Sequence, residues 1–194
     1  MAAGGRFVSR RPFLFFIQSK AMGKGLFVVY TGNGKGKTTA ALGMAVRALG
    51  HGYPVTVIQF IKGNADSGEH NLSGQFAGLL QFHVTGKGFT WKSENLDEDI
   101  ALARAAWQMA AQTIAENKVR LLILDELTYL IRYHMVDEDE ILDAIGQRPE
   151  GMDIVVTGRH ASDKMIAAAD LVTEMTEIKH PYRQGIPARK GVDF

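Results

Sequence analysis

Near residue 31 an apolar run gives way to a glycine-rich loop, Thr31-Gly32-Asn33-Gly34-Lys35-Gly36-Lys37-Thr38-Thr39, and then to a segment of helical character, Thr38 to Leu49. No other feature restricts the fold as much. Glycines let a backbone turn tightly and aim successive N–H groups at one point. A helix starting near Lys37 adds the positive end of its dipole. Lys37 supplies a cation for phosphate, and the Thr38 hydroxyl suits a magnesium ion held between phosphates. The loop is therefore read as a phosphate cradle. Its nucleotide-binding residues are Gly32, Asn33, Gly34, Lys35, Gly36, Lys37, Thr38 and Thr39. The spacing departs from the usual P-loop, which has glycine where this chain has Thr31. A β–α turn that binds nothing is the alternative, and Gly-Lys-Thr at a strand–helix junction speaks against it.

The rest of the chain alternates in the same way. Apolar runs at Leu26–Tyr30, Val55–Ile61, Leu80–Val84, Val119–Leu124, Asp153–Thr157 and Leu171–Met175 read as strands. Helical patterns at Leu96–Asn117, Asp137–Ile145 and Ser162–Ala169 separate the later ones, the last capped by Ser162. Lys62–Ser73 and Thr85–Trp91 read as loops, the first with room for a short helix after it, and the tail from Lys179 as irregular. Continuous apolar strands between helices predict an α/β, three-layer fold with a mainly parallel sheet, of the RecA-like P-loop NTPase architecture. Residues 25–194 form one domain in this reading, since no linker or repeat divides them. In such sheets ligands bind beyond the carboxyl ends of the strands. The loops starting at Thr31, Lys62, Thr85, Asp125 and Gly158 are thus expected on one face.

Composition mostly excludes. Twenty-two basic and 21 acidic residues leave a net charge of +1, so no whole-chain field favours nucleic acid or membrane. There is no cysteine, which removes disulfides, thiolate metal sites and cysteine nucleophiles. No apolar run approaches the roughly 20 residues of a membrane helix; a cytoplasmic location is expected. At the N-terminus Arg6, Arg10 and Arg11 precede Phe13-Leu14-Phe15-Phe16-Ile17, shorter than the roughly 7–15 residues of a signal core. Residues 1–24 are read as a poorly ordered extension, with a segment packed over the domain as the alternative. The six histidines show no metal-ligand spacing.

Several side chains beyond the cradle are candidates. The strand ending Leu124-Asp125-Glu126 places two carboxylates where magnesium would sit, with Glu126 a second metal contact or a general base. Arg159, just past a strand end, suits phosphate or ribose. Lys62, Asn64, Glu69 and Asn71 lie on a loop of the same face, as solvated groups or as ligand contacts. Arg47, ten residues past Lys37, is either a nucleotide contact or a surface arginine. Gly88-Phe89-Thr90-Trp91 sets two aromatics beside glycine, either as core or as a binding loop.

Taken in order, Gly32 to Ala41, Gln59-Phe60-Ile61-Lys62-Gly63, Gly88-Phe89-Thr90-Trp91, Leu124-Asp125-Glu126-Leu127-Thr128-Tyr129, Thr157-Gly158-Arg159 and Gly191-Val192-Asp193-Phe194 resemble the ATP:corrinoid adenosyltransferases. The resemblance covers about Gly25 to Phe194. It implies transfer of the 5′-deoxyadenosyl group of ATP to the Co(I) of a reduced corrinoid, with release of triphosphate. It implies Mg²⁺ (or Mn²⁺), a transient electron donor such as a flavoprotein, and a homodimer. Under it Lys37, the loop N–H groups and the metal stabilise the leaving triphosphate. From their positions, Thr38 and Glu126 are catalytic candidates beside Lys37. Arg47, Lys62 and Arg159 are candidates to join the cradle in binding nucleotide, and Thr38, Asp125 and Glu126 to hold the metal. Phe89 and Trp91 cover the lower corrin face. Two other functions remain open on the residues alone: an ATPase or kinase cleaving the β–γ bond with Glu126 as base, and a nucleotide-dependent binding module without turnover.

Overall fold

The computed structural model describes residues 23–61, 67–76, 78–86 and 96–193. Six strands form one sheet: β1 (Phe27–Thr31), β2 (Val55–Gln59), β3 (Leu80–Val84), β4 (Leu121–Asp125), β5 (Asp153–Thr157) and β6 (Leu171–Glu174). Their order is β3-β2-β4-β5-β1-β6, and every pairing in it is parallel. One strand, β5, separates the cradle strand β1 from the acidic strand β4.

The central strands are apolar on both faces because both faces are covered. Phe27 and Val29, Leu122 and Leu124, and Ile154 and Val156 pack into one core. The alternate residues Val28, Leu121, Ile123 and Val155 pack into a second. The first core is closed by α3 (Leu96–Glu116), α5 (Glu138–Gly146) and α6 (Asp163–Ala168). The second is closed by α1 (Lys37–Gly50), whose Ala41, Ala45 and Leu49 form its buried stripe. Each fully buried aliphatic side chain contributes about 1.5–3 kcal/mol, so this two-sided burial is what holds the sheet.

Sequence patterning located these elements to within two residues at most ends. On α3 the expected stripe is present: Ala103, Trp107, Ala110 and Ile114 are buried, and Ile100 packs beside them. Ser162 caps α6 by accepting the Met165 N–H at 3.0 Å, and Asp137 caps α5 through the N–H groups of Asp139 and Glu140. Three differences occur. The first is α2 (Gly68–Leu72), a short helix inside the segment read as loop, capped by Ser67. The second is α4 (Thr128–Arg132), five residues directly after the acidic strand end and too short to show a period. The third is a 3₁₀ turn at Pro181–Gln184 in the tail read as irregular. No helix of the described residues is long and apolar enough to cross a membrane.

Candidate functional site

A cavity of about 450 Å³ opens beyond the carboxyl ends of β1, β4 and β5. The cradle forms its floor through Gly34, Lys35, Gly36, Lys37, Thr38 and Thr39. Glu126 lines it from the end of β4, and Arg159 from the end of β5. Glu69, on α2, comes in from the loop after β2, as the shared-face argument requires. Gly191, Val192 and Asp193 of the C-terminal segment complete the wall.

Helix α1 begins with Gly36 at its N-cap, φ +113°, and no side chain caps it. Its first N–H groups therefore lack the side-chain acceptor that ordinary helices supply, as a phosphate-binding terminus requires. Lys37 is buried, and its Nζ donates to the carbonyls of Gly32 at 2.8 Å and Gly34 at 2.7 Å. Burial lowers its pKa from the ordinary lysine value; the Glu126 carboxylate acts the other way and Arg159 with burial.

Not every glycine serves phosphate. A Cβ on Gly32 would lie 2.4 Å from the Met175 carbonyl oxygen, and one on Gly34 2.8 Å from the Thr176 carbonyl carbon. The chain leaving β6 presses on the cradle there, and only glycine leaves room. The Gly34 N–H, expected to point at phosphate, donates instead to the Met175 carbonyl at 2.7 Å. Thr31, which breaks the usual glycine spacing, has its own task. Its buried hydroxyl accepts the Ala161 N–H at 3.1 Å, tying the cradle strand to the loop that carries Arg159.

Beneath the cradle lies a polar network. Asp125 is fully buried. Its Oδ1 accepts the hydroxyls of Thr38 at 2.8 Å and Thr157 at 2.6 Å, and its Oδ2 accepts the amide of Gln59 at 2.9 Å. Thr157 Oγ1 in turn accepts the Glu126 N–H at 3.0 Å. Glu126 sits at φ +63°, a left-handed conformation that costs a non-glycine residue about 1–3 kcal/mol and is common at functional sites. Glu126 lines the cavity, with its Oε2 buried. Gly158 (φ +147°) is glycine because α4 crosses behind it: a Cβ would meet Thr128 Oγ1 at 2.0 Å.

The expected site residues thus divide. Lys35, Lys37, Thr38, Thr39, Glu126 and Arg159 meet in the cavity, with Gly34 and Gly36. Asp125 lies under it and reaches it through Thr38. Gly32 and Asn33 form the outer turn and do not line it, Asn33 being exposed. Arg47 is not brought there. Ten residues of helix carry it about 15 Å from Lys37, to a separate hollow beside Leu121 and Asp153, which begin β4 and β5 at the opposite, amino-terminal end of the strands. Lys62, Asn64, Phe89 and Trp91 lie outside the described residues. Sequence reasoning missed Gln59 and Thr157 as the residues that organise Asp125. Their signal is a polar side chain closing an otherwise apolar buried strand.

The family model for ATP:corrinoid adenosyltransferase BtuR/CobO/CobP matches residues 23–194. The chain belongs to this family. Among curated relatives, the corrinoid adenosyltransferase of Pseudomonas aeruginosa is 47% identical over 171 residues, covering 88% of this chain and 84% of the relative. The corrinoid adenosyltransferase of Escherichia coli K12 is 40% identical, covering 88% and 86%. Corrinoid adenosyltransferase CobA of Salmonella typhimurium shares the same 40% over the same shares. Among solved structures, the flagellar accessory protein FlaH from Methanocaldococcus jannaschii superposes with a TM-score of 0.52 at 13% identity, over 79% of this chain and 72% of that one. That likeness shows the fold alone. This ATP:corrinoid adenosyltransferase is an α/β enzyme of three layers that transfers an adenosyl group to a corrinoid.

Proposed function

We propose that the chain, in the cytoplasm, attaches the 5′-deoxyadenosyl group of ATP to the Co(I) of a reduced corrinoid and releases inorganic triphosphate. The observation that carries this reading is the cradle joined through Thr38 to Asp125 of the acidic strand, beneath a cavity that Lys37 and Arg159 line. Cobalt supplies the electron pair, the C5′–oxygen bond breaks, and its electrons stay on the triphosphate. The protein's task is then to hold a highly charged leaving group and set C5′ in line with cobalt. Lys37 and Arg159 balance charge as it develops, and Thr39 and Lys35 flank the same phosphates. No protein nucleophile is required.

The donor set fits a hard divalent cation bound largely by substrate and water. Asp125 spends both oxygens on hydroxyl and amide donors, so it orients Thr38 rather than forming a cage. Thr38 and Glu126, with Asp125 behind them, would hold Mg²⁺, which keeps several waters and binds through few protein groups. When bound, the ion adds charge neutralisation on the phosphates. Phe89 and Trp91 are assigned to the lower corrin face, where an apolar cover excludes an axial ligand and makes Co(II) easier to reduce. A homodimer and a transient flavoprotein donor complete the reading, on the family resemblance.

Incubation with ATP, Mg²⁺ and chemically reduced cobalamin should yield adenosylcobalamin and triphosphate in equal amounts. ADP and phosphate as products would replace this reaction with β–γ cleavage. In the same assay Trp91→Ala should bind ATP as wild type does. It should lose most activity from cob(II)alamin with a weak reductant, and recover it when Co(I) is generated chemically. An equal loss under both conditions would remove the assigned role of Trp91.

A further inference from the structure

The C-terminal segment reaches back to the cradle. Asp193 lines the same cavity as Lys35, Lys37 and Arg159, and its Oδ1 forms an ion pair with Lys35 Nζ. Its other oxygen, Oδ2, accepts the Arg189 N–H at 2.8 Å, while the Asp193 N–H donates to the Arg189 carbonyl at 2.8 Å. Residues 189–193 are thus a turn closed at both ends, which aims one carboxylate at the cradle. The Asp193 side chain is 15% exposed and that of Lys35 50%. Little apolar burial attaches this segment. No residue from 181 to 193 is buried, and Tyr182 and Val192 are largely exposed. Few buried contacts mark a segment of low local stability, so its position over the cavity depends on polar contacts such as that to Lys35.

A carboxylate beside an anion site opposes the anion. It also takes up a cation that the anion would otherwise use. We propose that Asp193 competes with polyphosphate for the Lys35 ammonium, and so sets how tightly the cradle holds triphosphate. Lys35 exchanges a carboxylate partner for a phosphate partner, with no covalent change. The effect is useful to an enzyme whose product is a multiply charged anion on a site built for it, because a built-in competitor hastens release. That last point rests on the proposed reaction; the exchange at Lys35 requires only that polyphosphate bind the cradle.

The test is titration calorimetry of the full chain with inorganic tripolyphosphate and Mg²⁺. Asp193→Asn should bind about two- to fivefold more tightly than wild type, the range open to an exposed ion pair. Asp193→Glu should stay near wild type. Asp193→Ser, which cannot pair with Lys35 but can still accept the Arg189 N–H, should tighten binding in the same sense. In a Lys35→Ala background the gain should shrink to the direct repulsion of the Asp193 carboxylate alone, a coupling that a merely structural role for the tail would not produce. Unchanged or weaker binding in Asp193→Asn and Asp193→Ser, or a gain undiminished by Lys35→Ala, overturns the proposal. Adenosyl transfer plays no part in this titration. ADP as the reaction product would thus remove the proposed reaction and leave the Asp193 result standing, and the reverse holds equally.

Discussion

Lys37 holds its ammonium between two carbonyls of its own loop, and burial pushes its pKa down from 10.5. A polyphosphate binds best to the charged form. Above the lowered pKa, binding must therefore take up a proton, and ATP affinity should fall with rising pH earlier than for an ordinary lysine. The sign for folding is opposite. The unfolded chain keeps this proton up to its higher pKa, so across that window the folded state gains stability as pH rises. ATP titrations from about pH 7 to about pH 10.5, in buffers of different ionisation enthalpy, should show the proton uptake. Lys37→Ala should weaken ATP binding by about 2–3 kcal/mol, the worth of charge-assisted hydrogen bonds, and abolish that uptake. Retained uptake in the variant would assign the proton elsewhere.

Between elements, the contact that ties α3 to α5 is the buried indole of Trp107, whose Nε1 donates to Glu140 Oε1 at 2.6 Å. Helix α3 covers the first core with this side chain, and α5 supplies the acceptor from its own first turn. Glu140→Ala leaves the indole N–H buried without a partner, at a cost of about 1–3 kcal/mol. Glu140→Gln keeps an acceptor and should cost less. Urea unfolding of both variants checks the order, and equal losses would mean that charge at the α5 N-terminus, not the indole, matters. A second tie, Arg148, donates to the Gly25 carbonyl and pairs with Asp170, which also accepts the Phe27 N–H. It ties the start of β1 to the end of α5 and to the residue before β6. The Asp170 carboxyl is held below its usual pKa, first by the Phe27 N–H.

At the scale of the whole molecule, the sheet is protected in its centre and open at its rims. Strand β6 has no buried residue, whereas β2 and β4 have nothing else. On the opposite edge strand β3, His83 is half-buried, and burial lowers its pKa from 6.5. The unfolded chain binds that proton first as pH falls. Stability should therefore be full above about pH 6.5 and decline below it until the lowered pKa is passed. His83→Gln should flatten this part of the acid limb, read as the denaturation midpoint at about pH 5 and about pH 7. An unchanged slope would show that carboxylates alone govern acid unfolding.

Some of this was readable from local chemistry. Gly36-Lys37-Thr38 after an apolar strand dictates a cradle at a helix N-terminus, since backbone geometry and charge there depend on neighbours in the chain. The alternation of apolar runs and helical patterns dictated the parallel, two-faced sheet, since burial on both sides leaves no polar alternation. Other features depend on which strands become neighbours. Thr157 and Gln59 bond Asp125 only because β5 and β2 flank β4. Spacing assigns Gly32 and Gly34 to phosphate, but the chain leaving β6 explains them as close approach. Arg47, a candidate by sequence distance, is carried by α1 to a separate hollow. Asp193 reaches Lys35 across 158 residues, and no local pattern encodes a contact at that separation. The kind of site and its floor follow from local chemistry along the chain; its walls follow from the packing, because walls are made where distant segments meet.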